Sequence, residues 1–452
     1  MDKRTVDILE KKLNSFRLNE RLEALEKLKK TASLEKKEHQ NINLHFHSFY
    51  SYNVEFWSPS RIAWEAKKNG LYAAGVIDFD VLSGLSEFLK AGEMLSLRTS
   101  VGIETRAFLH EYADKEIDSP GEPGVSYIAG AGFFAHPEEG STQAKELEKY
   151  RQKATERNKA LIERINPHVP EIALTMENVT ALTPAGNATE RHIVIAYIQK
   201  AVSVFTENQL IPYWSKTLEL TETEVEKLMT TGYKFEDVVR KKFAKKGGFG
   251  YVQPSAETFP PVEDFFRFVK SCGAIPMESW LDGTSEGEKD PQALLGLSKS
   301  KGAAALNLIP DRNWNIADPG EKIIKVNNLK KIIETAEKMD MPLHIGTEMN
   351  KKGLPFADDL NGAVLKPFRE IILHGAKVIL GHTLLGRFTG YSYTGPEAEA
   401  EFPDLKKRNA FFASVGELPA VDTEIADKLR NAGTKKAFAV ICDSAKKGKW
   451  MV

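Results

Sequence analysis

Residues 41–53 read NINLHFHSFYSYN, with His45 and His47 one residue apart at the end of an apolar run. On an extended segment, side chains two apart point the same way. Two imidazoles on one face of a strand end are either half of a metal site or two ordinary histidines. Later runs carry ionisable groups at the same relative place. LYAAGVIDFD ends in Asp78 and Asp80, and RTSVGIETR contains Glu104. Imidazole combined with carboxylate suits Zn, Mn or Fe rather than Ca or Mg alone. A catalytic metal also needs an open position for water, whose pKa it lowers toward neutrality.

Such groups act together only if the fold holds them at one end. Between the runs lie helix signals. SPSRIAWEAKKNG offers Ser58 as cap, Pro59 at the first helical position and Gly70 as the stop. SGLSEFLKAGEML follows, with Ser83 as its expected cap. Apolar strands alternating with helices predict βα units and a parallel sheet. Ligands bind at the carboxyl ends of such strands. Asp80 could instead start the following turn. Asp78 could act in catalysis directly or orient a ligand histidine.

The sequence resembles a known family at this point. His-x-His-Ser, an SP that opens a helix, AKKNGL, a strand ending Asp-x-Asp and then G-x-E resemble the opening of the PHP domain, the polymerase and histidinol phosphatase superfamily. The strong match covers residues 41 to about 106. The resemblance implies a distorted (β/α)7 barrel, hydrolysis of phosphate esters and a cluster of up to three divalent metals. It points to His45, His47 and Glu104 as ligands. It places His136 in FFAHPEEG where another ligand histidine often stands, and Glu348 in HIGTEMN in place of a usual Asp. ATERHIVIAYI resembles a later Arg-x-His helix, so Arg191 and His192 are expected at the active site. Four departures lower the expected count to one or two metals. Tyr52 stands where an Asp is usual, Phe79 where a ligand His is usual, and Asn350 where a closing His is usual; CGAIPMESW lacks a His.

Residues 1–40 are expected to form a helical extension, with leucines recurring at helical spacing. Residues 107–250 read as a mainly helical insertion, opening on the loop DKEIDSPGEPGVSYIAG and continuing into the charged helix TQAKELEKYRQKATERNKALIERI. From 251 to 452 the barrel pattern resumes. AIPMESW, AAALNLIPDRN, MPLHIGTEMN and KVILGHTLLG are the expected strands, bringing the total to seven. Arg312 in PDRN is a candidate phosphate clamp. His344 is expected to be packed, and His382 to begin a glycine-rich loop.

The chain has 452 residues, a formal net charge of −1 and 2 cysteines. That excludes a disulfide scaffold and gives no general pull toward nucleic acid or anionic membrane. The N-terminal stretch lacks the apolar core of a signal peptide, so a cytoplasmic location is expected. The expected partner is a small phosphorylated substrate; self-association is left open. Three readings follow. The first is a metal-dependent phosphoesterase using Asp78, Arg191, His192 and Arg312 beside the metal. The second is a catalytically decayed binding or regulatory protein. The third is a metal enzyme acting on a sugar or sugar acid.

Overall fold

Seven short apolar segments pair in chain order: β1 (Ile42–Phe46), β2 (Ala73–Phe79), β3 (Arg98–Phe108), β4 (Val125–Ala131), β5 (Ile275–Trp280), β6 (Ala305–Leu308) and β7 (Leu343–Ile345). They belong to a computed structural model that describes residues 3–31 and 38–452; residues 1–2 and 32–37 of the expected extension lie outside the described residues. Every residue of β1 is buried, as happens where helices cover the outside of a parallel sheet and side chains fill its inside. The sheet curls until its ends meet. The Glu348 amide donates to the His45 carbonyl at 2.7 Å, and the His47 amide donates to the Glu348 carbonyl at 2.9 Å. Gly346 makes this seam possible, since a Cβ there would lie 2.5 Å from the Cβ of His45. The result is a distorted (β/α)7 barrel.

Two expectations about its strands need correction. First, β4 comes from the stretch expected to be a loop. The Gly/Pro signals end at Gly124, which has φ 76°, and VSYIAGA then supplies β-forming residues. This strand runs antiparallel to both neighbours. Second, KVILGHTLLG is not a strand. It is the second half of one helix, Arg369–Thr389. Periodicity cannot separate a buried helix from a buried strand. Its glycines are packing contacts rather than loop signals: a Cβ on Gly381 would lie 1.9 Å from the Phe412 carbonyl oxygen. His382 is accordingly buried within a helix, accepting from the Tyr393 amide at 3.0 Å and donating to the Gly132 carbonyl at 3.1 Å.

Helices α1 (Lys3–Lys12) and α2 (Leu18–Thr31) pack on the barrel through Leu9, Leu13, Leu25 and Leu28, which join its main core. Helices α3 (Pro59–Lys68) and α4 (Leu85–Leu95) receive them. The Ser58 hydroxyl caps α3 as expected, accepting from the Arg61 amide at 3.0 Å. Ser83 does not cap α4; Gly84 holds that position. Arg21 of α2 is fully buried and forks onto the Glu87 carboxylate of α4 at 2.8 and 2.5 Å.

After β4 the chain leaves at the amino-terminal end of the parallel strands. Helix α5 (Thr142–Ile165) carries it back. Its 24 residues span about 36 Å, more than the length of a barrel strand. Its first half packs on the barrel, where the Tyr150 ring meets Phe265 and Phe268. Its far end joins a cap of helices, Glu190–Val204 to Tyr233–Ala244, around a separate core that includes Trp214, Tyr197 and Phe243. Among the described residues no helix is long and apolar enough to cross a membrane.

Candidate metal centre and cavity

β1 presents His45 and, just past its end, His47 on one face; β3 presents Glu104 beside them, paired in register with Phe79. The structure brings these three together. Glu104 Oε2 lies 3.5 Å from His45 Nε2 and 3.4 Å from His47 Nε2. All three residues are buried, and none of these three atoms has a hydrogen-bond partner. An unpaired buried polar atom is costly, and three converging on one point require an explanation. A bound metal ion would supply it. Donors about 2.1 Å from a tetrahedral ion stand about 3.4 Å from one another. The three residues therefore fit a divalent metal. Among the described residues they are the one group of three or more such side chains that converges in this way.

The other ring nitrogens are already committed. Ser51 Oγ donates to Asp78 Oδ1 at 2.6 Å, which leaves it to accept from Nδ1–H of His47 at 3.1 Å. The Asn307 carbonyl oxygen accepts from Nδ1 of His45 at 3.2 Å and from Nδ1 of His344 at 2.9 Å. With Nδ1 of each ring donating, Nε2 is the atom that each imidazole has left to offer a metal. Burial alone would favour neutral groups. The Glu104 carboxylate outweighs it at His45, whose pKa lies above the usual value, and the two imidazoles hold Glu104 well below its own.

Asp78, expected in catalysis or behind a ligand histidine, does not line the cavity. It is buried behind His47, accepting from Ser48 Oγ at 2.7 Å and from Ser51. Burial raises its pKa, and the serine hydrogen bonds offset part of that rise. His136 is corrected. Because β4 runs antiparallel, the loop after it emerges at the far end of the barrel, where His136 is exposed. His192 turns away too. Its Nδ1 accepts from the Thr189 amide at 3.1 Å, closing the start of the helix Glu190–Val204, and burial lowers its pKa to about 4.

Glu348 and Arg312 do border the centre, but as a pair. The Arg312 guanidinium donates to Glu348 Oε2, which also accepts from Asn350 Nδ2 at 3.0 Å. Glu348 is therefore engaged by Arg312 rather than converging with the three candidate ligands. Asp80, Glu348 and Met349 all have positive φ, at 60°, 61° and 50°. Such backbone is strained for residues other than glycine, and here it sits at two strand ends facing the centre.

The centre opens into a cavity of about 560 Å³ between the barrel and the cap. Phe79, Tyr127, Trp280 and Arg191 are among its lining residues. Arg191 donates to Asp237 at 3.3 Å and lies over the Tyr52 ring. Arg106 and Arg157 line the same cavity and were not anticipated. Arg106 was legible, being two residues after Glu104 and so on the same strand face. Arg157 was not, since one charged residue on a charged helix carries no signal. Asn307 was legible as a lone amide inside an apolar strand.

No family model matches the sequence, and no curated protein does. Among solved structures, the chain is similar to a protein from Bifidobacterium adolescentis provisionally named a metal-dependent phosphoesterase. Identity is 18% and the TM-score 0.46, over 75% of this chain and 97% of that one. It is also similar to an amidohydrolase from Chromobacterium violaceum determined with bound sulfate and no metal. Identity is 16% and the TM-score 0.48, over 73% of this chain and 95% of that one. The reading of the site rests on its own geometry.

Proposed function

We propose that the protein is a metal-dependent hydrolase acting on a phosphorylated small molecule. The observation that carries this reading is the convergence of three unpaired ligand atoms, at 3.4 and 3.5 Å, on the wall of a cavity rich in guanidinium groups. His45, His47 and Glu104 would hold a divalent ion of the Zn, Mn or Fe type. Bound there, the metal would supply Lewis-acid activation of water and of the scissile ester. The chain's own groups do the rest. Asn307 and Ser51 hold the imidazoles in the ligating tautomer. Arg312 and Arg191 line the cavity where phosphate charge would be offset. The cap limits access of bulk water.

The resemblance of residues 41–106 to the PHP domain supports phosphate esters as the substrate class. Phe79 and Asn350, which stand where that family has ligands, favour one or two ions over three. They also support the alternative of a binding protein that has lost turnover. Metal analysis of protein purified without added metal, with assay on p-nitrophenyl phosphate, tests the reading. Stoichiometric metal and metal-dependent turnover are expected. Absence of metal would sink it; metal without turnover on phosphoesters would favour the alternatives.

A further inference from the structure

The cavity has a second polar end, away from the three ligands. Arg106 of β3 and Arg157 of α5 both lie against the Phe259 ring, with guanidinium carbons 4.4 and 4.9 Å from its centroid. A guanidinium stacked on a ring keeps its in-plane N–H donors free. Arg106 gives one of these to Glu122 at 3.1 Å. Arg157 gives none to the protein among the described residues: its ion-pair partner, Asp80 Oδ2, lies at 3.9 Å, beyond hydrogen-bond length. The Thr105 hydroxyl donates to the other oxygen of that carboxylate, Asp80 Oδ1, at 2.6 Å. Nearby, Arg240 and Lys245 share the single carboxylate of Glu190. Two guanidinium groups against one ring, one of them with no hydrogen bond to the protein among the described residues, are poorly explained as a structural ion pair.

We infer that Arg157 and Arg106 form a specificity site for an oxyanion, a carboxylate or phosphate, carried by the substrate at the end away from the bond cleaved. Glu104 and Arg106 leave the same face of β3 about 6.6 Å apart along the strand. One small molecule can therefore reach both the metal centre and the arginines. The site joins barrel to cap, since Arg106 belongs to one and α5 leads into the other. This inference rests on the proposed hydrolase for its reaction but not for its binding chemistry.

The test uses full-length protein stripped of metal, titrated by calorimetry with inorganic phosphate and separately with acetate. At least one anion should bind, and the tighter of the two identifies the substrate's group as phosphate or carboxylate. Arg157→Gln should weaken that binding about tenfold or more. Arg157→Lys, which keeps the charge but not the fork, should weaken it less. Equal affinity in wild type and Arg157→Gln, or no binding of either anion to wild type, would overturn the inference. Metal content is measured on the same preparations. Failure of the hydrolase reading appears as missing metal in wild type, whatever the anion result.

Discussion

The Phe79 ring lies flat on the His47 imidazole, with centroids 4.8 Å apart and planes 12° from parallel. It occupies the strand end next to Glu104, with which it is in register. A phenyl ring offers no lone pair, so this wall of the centre cannot hold an ion. Phe79→His should raise the metal stoichiometry measured by elemental analysis. Three fully occupied ions in the unmodified protein would refute the argument.

His45 and Ser51 should separate by magnitude. His45→Ala removes a donor atom and should abolish stoichiometric metal together with any phosphoesterase turnover. Ser51→Ala removes only the group that fixes His47, and should weaken metal affinity about 10–100-fold. Competition with a chelator reads both. Equal effects would mean that Ser51 is itself a ligand, or that His45 is not.

Glu278 gives the stability of the fold a pH dependence. Burial raises its pKa from 4.5 to about 7, with the Ser298 and Ser126 hydroxyls offsetting part of the rise. Between those values the folded protein keeps a proton that the unfolded chain releases. The stability this group contributes is therefore full below about pH 4.5 and lost as pH rises to about 7. Glu278→Gln cannot titrate, so its Tm should gain on wild type as pH climbs through that window. Parallel Tm curves would contradict the assignment.

Arg21→Met should destabilise the protein by about 3–5 kcal/mol, because it strands the buried Glu87 carboxylate. Adding Glu87→Gln should restore much of the loss, since Ser60 still donates to that side chain. Denaturant titration of the single and double variants checks this. If the double variant is no better than the single, the helical extension contributes through packing alone.

Much of this was legible in the sequence where one physical rule dominated. The convergence of His45, His47 and Glu104 was legible because strand periodicity and strand-end position both pointed to it. Seven strands were expected, but one of the seven was misplaced. The apolar run at 377–386 suits a buried helix as well as a strand, and the length that decides between them depends on what packs around it. β4 was hidden behind a dense loop signal. Its antiparallel direction, which no local pattern encodes, is what sends His136 to the wrong end of the barrel. Arg157 reaches the cavity only because α5 has a particular length and path.

That last dependence makes α5 a ruler. Thr142 starts at the far rim, and each residue climbs about 1.5 Å, so Arg157 stands some 22 Å higher. Adding or deleting four residues before Tyr150 would move everything beyond by about 6 Å and rotate it by about 40°. The depth of the cavity, and hence the length of molecule it accepts, is written as a count of residues in a helix that supplies none of the three metal-ligand candidates.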